Sequence, residues 1–166
     1  MPNPLNPYEQ RIAAFYGAFR ELDAKAMKAA YAPEARFRDP VFELKGREEI
    51  GAMWGMLCDT VKAKGRDVWQ LDVSGITADA SRANARWEAR YRFSATGRLV
   101  HNVIDASFTF DPNGLILAHR DQFDFSRWAR QALGPVGWAL GWSPFLANKV
   151  RSQARANLDK QLSRAA

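Results

Sequence analysis

The sequence predicts an α+β fold in which helices cover one face of a bent antiparallel sheet. Three observations carry that prediction. Apolar residues recur at helical spacing through the first third of the chain, the period changes to two from Arg66 onward, and an Asp111-Pro112-Asn113-Gly114 turn joins the last two alternating runs. Four alternating runs in series form a meander with one apolar face, and the preceding helices are there to cover it.

Ile12, Phe15, Tyr16, Phe19 and Leu22 place the first helix over residues 7–22, with Pro7 suited to its first turn. Asp23 caps a short second helix that runs to Tyr31, with Met27 and Tyr31 inward, before Pro33 ends it. The stretch ARFRDPVFELKG then reads as a strand over Arg36–Asp39, stopped by Pro40. Phe37 belongs in the core, so Asp39, two residues on, is drawn to the same face.

A third helix starts near Gly46 and closes at Gly65, burying Ile50, Met53, Trp54, Leu57 and Val61. The helix dipole favours Glu48 and Glu49 in its first turn. The alternating runs are then Trp69-Leu71-Val73, Trp87-Ala89-Tyr91-Phe93 and Ile104-Ala106-Phe108-Phe110. The last run, Leu115 to Phe125, puts Leu117, His119, Asp121 and Phe123 on one face. Beyond it, Trp128–Leu133 reads as helix and GPVGWALGWSPF as an apolar Gly/Pro-rich turn. A last helix carries Leu146, Val150, Ala154, Leu158 and Leu162 on one side, with basic residues elsewhere on it. The division expected is a domain over 1–127 and a helical extension over 128–166 packed on it.

A chain of 166 residues, 47% hydrophobic and 25% charged, can bury a core without staples. An aromatic content of 12% suits an apolar pocket and suits a plain core as well. The net charge of +6 reads as spread along the chain, without a block of five like charges. With no zinc spacing, ribonucleoprotein-type aromatic strand or basic arm, nucleic acid is not expected as a partner. Cys58 is the only cysteine and reads as an inert buried thiol. The start MPNPLNPYEQ lacks the pattern of a signal peptide, and Gln131–Asn148, the longest uncharged stretch, is too broken by Gly and Pro to span a bilayer. A cytoplasmic location is expected. The basic last helix reads as a solvated face, with a peripheral lipid contact through the Trp-rich turn as the lesser alternative, so membrane contact is not expected.

YAPEARFRDPVFELKGREEI and NGLILAHRDQFDF carry a resemblance to the nuclear-transport-factor-2-like superfamily, which includes ketosteroid isomerases, SnoaL-like polyketide cyclases and limonene epoxide hydrolases. The resemblance covers roughly residues 8–127. It implies a cone: a curved antiparallel sheet of about four to six strands, with three N-terminal helices on its concave face, enclosing a deep apolar pocket. It also implies a homodimer through the outer sheet face. Asp39 falls on the isomerases' proton-shuttling acid, while the position of their oxyanion-binding tyrosine is Phe15, with Tyr16 beside it. Aligned through the Phe110–Gly114 turn, their second acid falls on Ala106, and the alternation agrees that Asp105 points to the other face. HRDQFD is similar to the hydrolases' last strand and matches Asp121 to a working aspartate.

The candidate catalytic residues are therefore Asp39, as base, and Asp121 with His119, as an acid or water-positioning pair. Two carboxylates and a histidine divide such roles when their surroundings separate their pKa values. Phe15, Tyr16, Met53, Trp54, Trp87, Asn102 and Phe123 are the candidate binding residues. No metal or organic cofactor is implied. The function expected is proton transfer on a small apolar molecule by an isomerase, cyclase or hydrolase. The alternative is a non-catalytic binding or structural member of the superfamily.

Overall fold

A computed structural model describes residues 4–165. The first three residues of the stretch read for a signal peptide, and Ala166 of the extension, lie outside the described residues. The chain folds as α1 (Pro7–Arg20), α2 (Ala24–Ala29), β1 (Tyr31–Arg38), β2 (Glu43–Lys45), α3 (Arg47–Ala63), β3 (Gln70–Asp79), β4 (Arg82–Arg92), β5 (Leu99–Phe110), β6 (Ile116–Gln122), α4 (Phe125–Leu133), α5 (Pro135–Leu140) and α6 (Pro144–Ala165).

Helix α1 starts with a capping box. The Asn6 side chain accepts from the Tyr8 amide at 2.9 Å, and Glu9 accepts from the Asn6 amide at 3.1 Å. Asp23 caps α2 as expected, but the helix stops at Ala29 and Tyr31 opens a strand. The reason is tertiary. The Ala30 carbonyl accepts from Ile116, and Tyr31 pairs with Ile116, so β6 captures the chain before the helix can finish.

The six strands form one sheet in the order β2-β1-β6-β5-β4-β3. The meander β3 to β6 is antiparallel throughout, whereas β1 lies parallel to β6, so the sheet is mixed rather than wholly antiparallel. That parallel seam matters for the site. Phe37 pairs with His119 and Arg38 with Arg120, so Asp39 and Asp121 each come next but one along the same face.

The inner face of the sheet and helices α1 and α3 bury one continuous core that includes Ile12, Phe19, Phe37, Ile50, Trp54 and Phe108. A second, smaller cluster joins α4 and α6 to the sheet through Val100, Trp128, Ala129 and Leu146. GPVGWALGWSPF is not a bare turn: Pro135 starts α5 at its first position and Pro144 starts α6. Gly137 makes this possible, because its backbone presses against α4 where a Cβ would overlap the Ala129 carbonyl. We expect Gly137→Ala to cost about 1–3 kcal/mol by forcing α5 off α4. Denaturant unfolding of the two proteins measures it. No helix among the described residues is long and apolar enough to cross a membrane.

Candidate active site

Three polar side chains are buried on the inner face: Asn102 at 7% exposure, His119 at 2% and Asp121 at 3%. Buried polar groups need partners, and for His119 they are found on both sides. Its Nδ1 lies 2.7 Å from the Tyr31 hydroxyl, and its Nε2 lies 2.8 Å from Asp121 Oδ1. Trp54 Nε1 donates to the same Tyr31 oxygen at 3.0 Å.

These contacts assign the protons. An indole nitrogen only donates, so the Tyr31 oxygen accepts from Trp54 and directs its own proton to Nδ1. Nδ1 is then an acceptor, and the ring proton sits on Nε2, donated to Asp121. The opposite arrangement leaves the Tyr31 proton without an acceptor in a buried place. Aromatic rings close the relay in: Phe108 and Phe37 lie 4.2 and 4.9 Å from the His119 ring, and Phe15 packs edge-on at 6.0 Å.

Asp121 Oδ1 also accepts from Trp87 Nε1 at 3.4 Å. Among the described residues, Oδ2 has no hydrogen-bond partner. Asp39 is built the same way. Its Oδ1 accepts from the Val41 and Phe42 amides at 2.7 and 2.6 Å, an Asx turn at the Pro40 corner, and its Oδ2 has no partner among the described residues. Both carboxylates are thus anchored through one oxygen and leave the other open.

Asp39 is half-buried, and desolvation pushes its pKa up to about 6. The Phe42 and Val41 amides oppose the shift, the like charge of Asp121 adds to it, and His119 opposes it more weakly. The Tyr16 hydroxyl is fully buried and unpartnered. Burial, and next the charge of Asp121, raise its pKa well above the usual phenol value, so it remains an O–H donor.

Phe15, Tyr16, Met53, Trp54 and Trp87 are core residues around the relay, and Phe123 is partly buried where the two clusters meet. Asn102 faces inward opposite Ala89. Ala106 pairs with Asp121 on the inner face, whereas Asp105 is outside on Arg86, at 2.9 Å. These aromatic rings are buried around the relay. Among the described residues, a concavity of about 480 Å³ is lined by Phe37, Phe108 and His119 together with outward-facing Arg36, Arg38, Arg82 and Arg120; another, of about 260 Å³, lies between α3 and α6. No group of three His, Cys, Asp or Glu among the described residues is placed to hold a metal ion.

Sequence reasoning missed Tyr31 as a polar partner and Trp54 as a donor. The available signal was His119 itself, since an inward histidine needs a partner on each nitrogen and few inward residues carry a hydroxyl.

A six-stranded mixed sheet covered by helices is the architecture of the nuclear-transport-factor-2-like superfamily. Residues 12–119 match the SnoaL-like domain model, and the chain belongs to that family. Among solved structures it is similar to a protein with a ketosteroid isomerase-like fold from Catenulispora acidiphila, in complex with trimethylamine. Identity is 12% over 81% of this chain and 98% of that one, with a TM-score of 0.64. It is similar also to an LEH-like epoxide hydrolase of M. tuberculosis, 16% identical over 76% of this chain and 89% of that one, with a TM-score of 0.61. A third is the epoxide hydrolase/cyclase-like enzyme SalBIII of salinomycin pyran-ring formation, 16% identical over 70% and 89%, with a TM-score of 0.60. No curated protein matches the sequence.

Proposed function

We propose that the chain is a small acid–base enzyme that moves a proton on an apolar molecule, as an isomerase, cyclase or hydrolase. The observation that supports this best is the pair of carboxylates at the β1–β6 seam, each two residues beyond the paired Phe37 and His119 and each held through Oδ1, with no partner at Oδ2 among the described residues. Asp39 is the base, since a carboxyl with a pKa near 6 is still ionised at neutral pH and holds a proton better than an ordinary aspartate. Asp121 positions the water or substrate hydroxyl whose proton Asp39 takes. Tyr16 donates to the oxygen that gains charge. Both nitrogens of His119 are engaged, so it is a positioning residue that fixes the Asp121 rotamer, not an acid in contact with substrate. The reading calls for no metal or organic cofactor.

The near-complete burial of His119 and Asp121 favours a second reading, in which the relay is a polar core strut and the domain binds a ligand without chemistry. Native mass spectrometry of the purified chain identifies a co-purifying small molecule and so the reaction to assay. Asp39→Asn and Asp121→Asn should each lower kcat/KM by about 10²–10⁴. Rates unchanged in both variants leave only the binding reading.

A further inference from the structure

The extension distributes charge and apolar surface unlike the rest of the chain. Residues 125–166 hold seven of the 24 Lys and Arg residues and a single acid, Asp159. The other 124 residues carry 17 bases and 17 acids, so the net +6 belongs wholly to residues 125–166 and is not spread along the chain. Between Asp124 and Asp159 there is no acid at all.

In the middle of that basic segment, the usual inside–outside order is reversed. Gly137 and Gly141 face inward against α4, while Trp138, Trp142 and Phe145 stand out at 71%, 76% and 68% exposure, joined by Val136 and Leu140. A segment folded only for stability would turn its tryptophans toward α4. Here small residues let the backbone dock closely and hold the large side chains outward on a rigid base. Contiguous exposed apolar surface of this kind marks an interaction site.

The charges around the turn are open to a partner. Arg130 lies over the Trp138 ring at 5.2 Å and otherwise bonds Ser126; Arg127 and Arg98 bond the backbone carbonyls of His101 and Gln131. Arg151 bonds the Pro40 carbonyl at 2.8 Å, beside Asp39. Among the described residues, none of these four is paired with an acid. Lys149 is exposed two residues before Arg151. Indole rings backed by uncompensated cations fit one surface chemistry in particular, the headgroup boundary of an anionic bilayer, where Trp seats at the interface and Lys and Arg meet phosphates.

We infer that the Trp138–Trp142–Phe145 turn docks the chain peripherally on anionic lipid. This departs from the sequence expectation of no membrane contact, because the outward aim of the tryptophans is visible only once α5 is seated on its glycines. It does not rest on the proposed chemistry.

The test is co-sedimentation of the full chain with phosphatidylcholine vesicles, with and without phosphatidylglycerol. Wild type should bind the anionic vesicles, weaken as salt is raised, and bind phosphatidylcholine alone at least about tenfold less. Trp138→Ser with Trp142→Ser, and separately Lys149→Glu, should each weaken anionic binding several-fold, with unchanged circular dichroism. Four results overturn the inference: no binding to anionic vesicles, equal binding to both lipids, binding untouched by the tryptophan substitutions, or a wild-type dimer that these substitutions dissociate while vesicles are ignored. The last assigns the patch to a second copy of the chain.

Discussion

Asp121→Ala is expected to lower the free energy of unfolding by about 2–4 kcal/mol at neutral pH. The substitution removes little volume. The cost comes from the groups left behind: the His119 Nε2 proton and the Trp87 indole proton both lose their acceptor in a place that water hardly reaches. Asp121→Asn keeps an oxygen that accepts both, and should cost about 1 kcal/mol or less. Urea unfolding of the three proteins measures the difference. Equal, small costs for both variants would mean that the relay from Trp54 through Tyr31 and His119 to Asp121 does not form.

Asp39→Asn is expected to stabilise the fold, and to do so only above acidic pH. Asp39 has a folded-state pKa of about 6, against an ordinary value near 3.9 in the unfolded chain. The folded state therefore binds the proton more tightly, and ionisation within the fold carries a cost. That cost is absent below about pH 4, grows between about pH 4 and 6, and is complete above. Asparagine keeps the oxygen for the Val41 and Phe42 amides and has no charge to desolvate. The variant should exceed wild type by about 1–3 kcal/mol at pH 8, and the two should converge near pH 4. Thermal unfolding across that range is the check. The same substitution is expected to lower kcat/KM by about 10²–10⁴, which is the usual relation between an active-site charge and stability.

The two aspartates were legible in the sequence because period two is a strong signal. Phe37 and Leu117 are apolar anchors, and each fixes the face of an acid farther along its strand. What period two cannot show is which strands adjoin. The parallel seam between β1 and β6 pairs Phe37 with His119, each two residues before one of the acids, and it spans a sequence separation of about 80 residues that local pattern does not reach.

The ends of α2 and the nature of α5 were illegible for a related reason. Tyr31 has the spacing of a helix residue, but pairing with Ile116 outweighs that local preference. In GPVGWALGWSPF, Gly and Pro usually signal a turn. Here they serve as the first position of a helix and as close-packing points against Ala129, and that depends on where α4 lies. The relay itself was half legible: His119 and Asp121 were visible as a same-face pair, whereas Tyr31 and Trp54 read as core because their polar atoms were discounted against their rings.

Asp39 acts as a base only if it shares one desolvated face with Asp121, and a carboxyl-carbon NMR titration of Asp39 tests this most directly. In wild type Asp39 should titrate near pH 6, and in Asp121→Asn its midpoint should move down as the neighbouring negative charge is lost. An Asp39 midpoint near the ordinary value of about 3.9, indifferent to the substitution at Asp121, would contradict it.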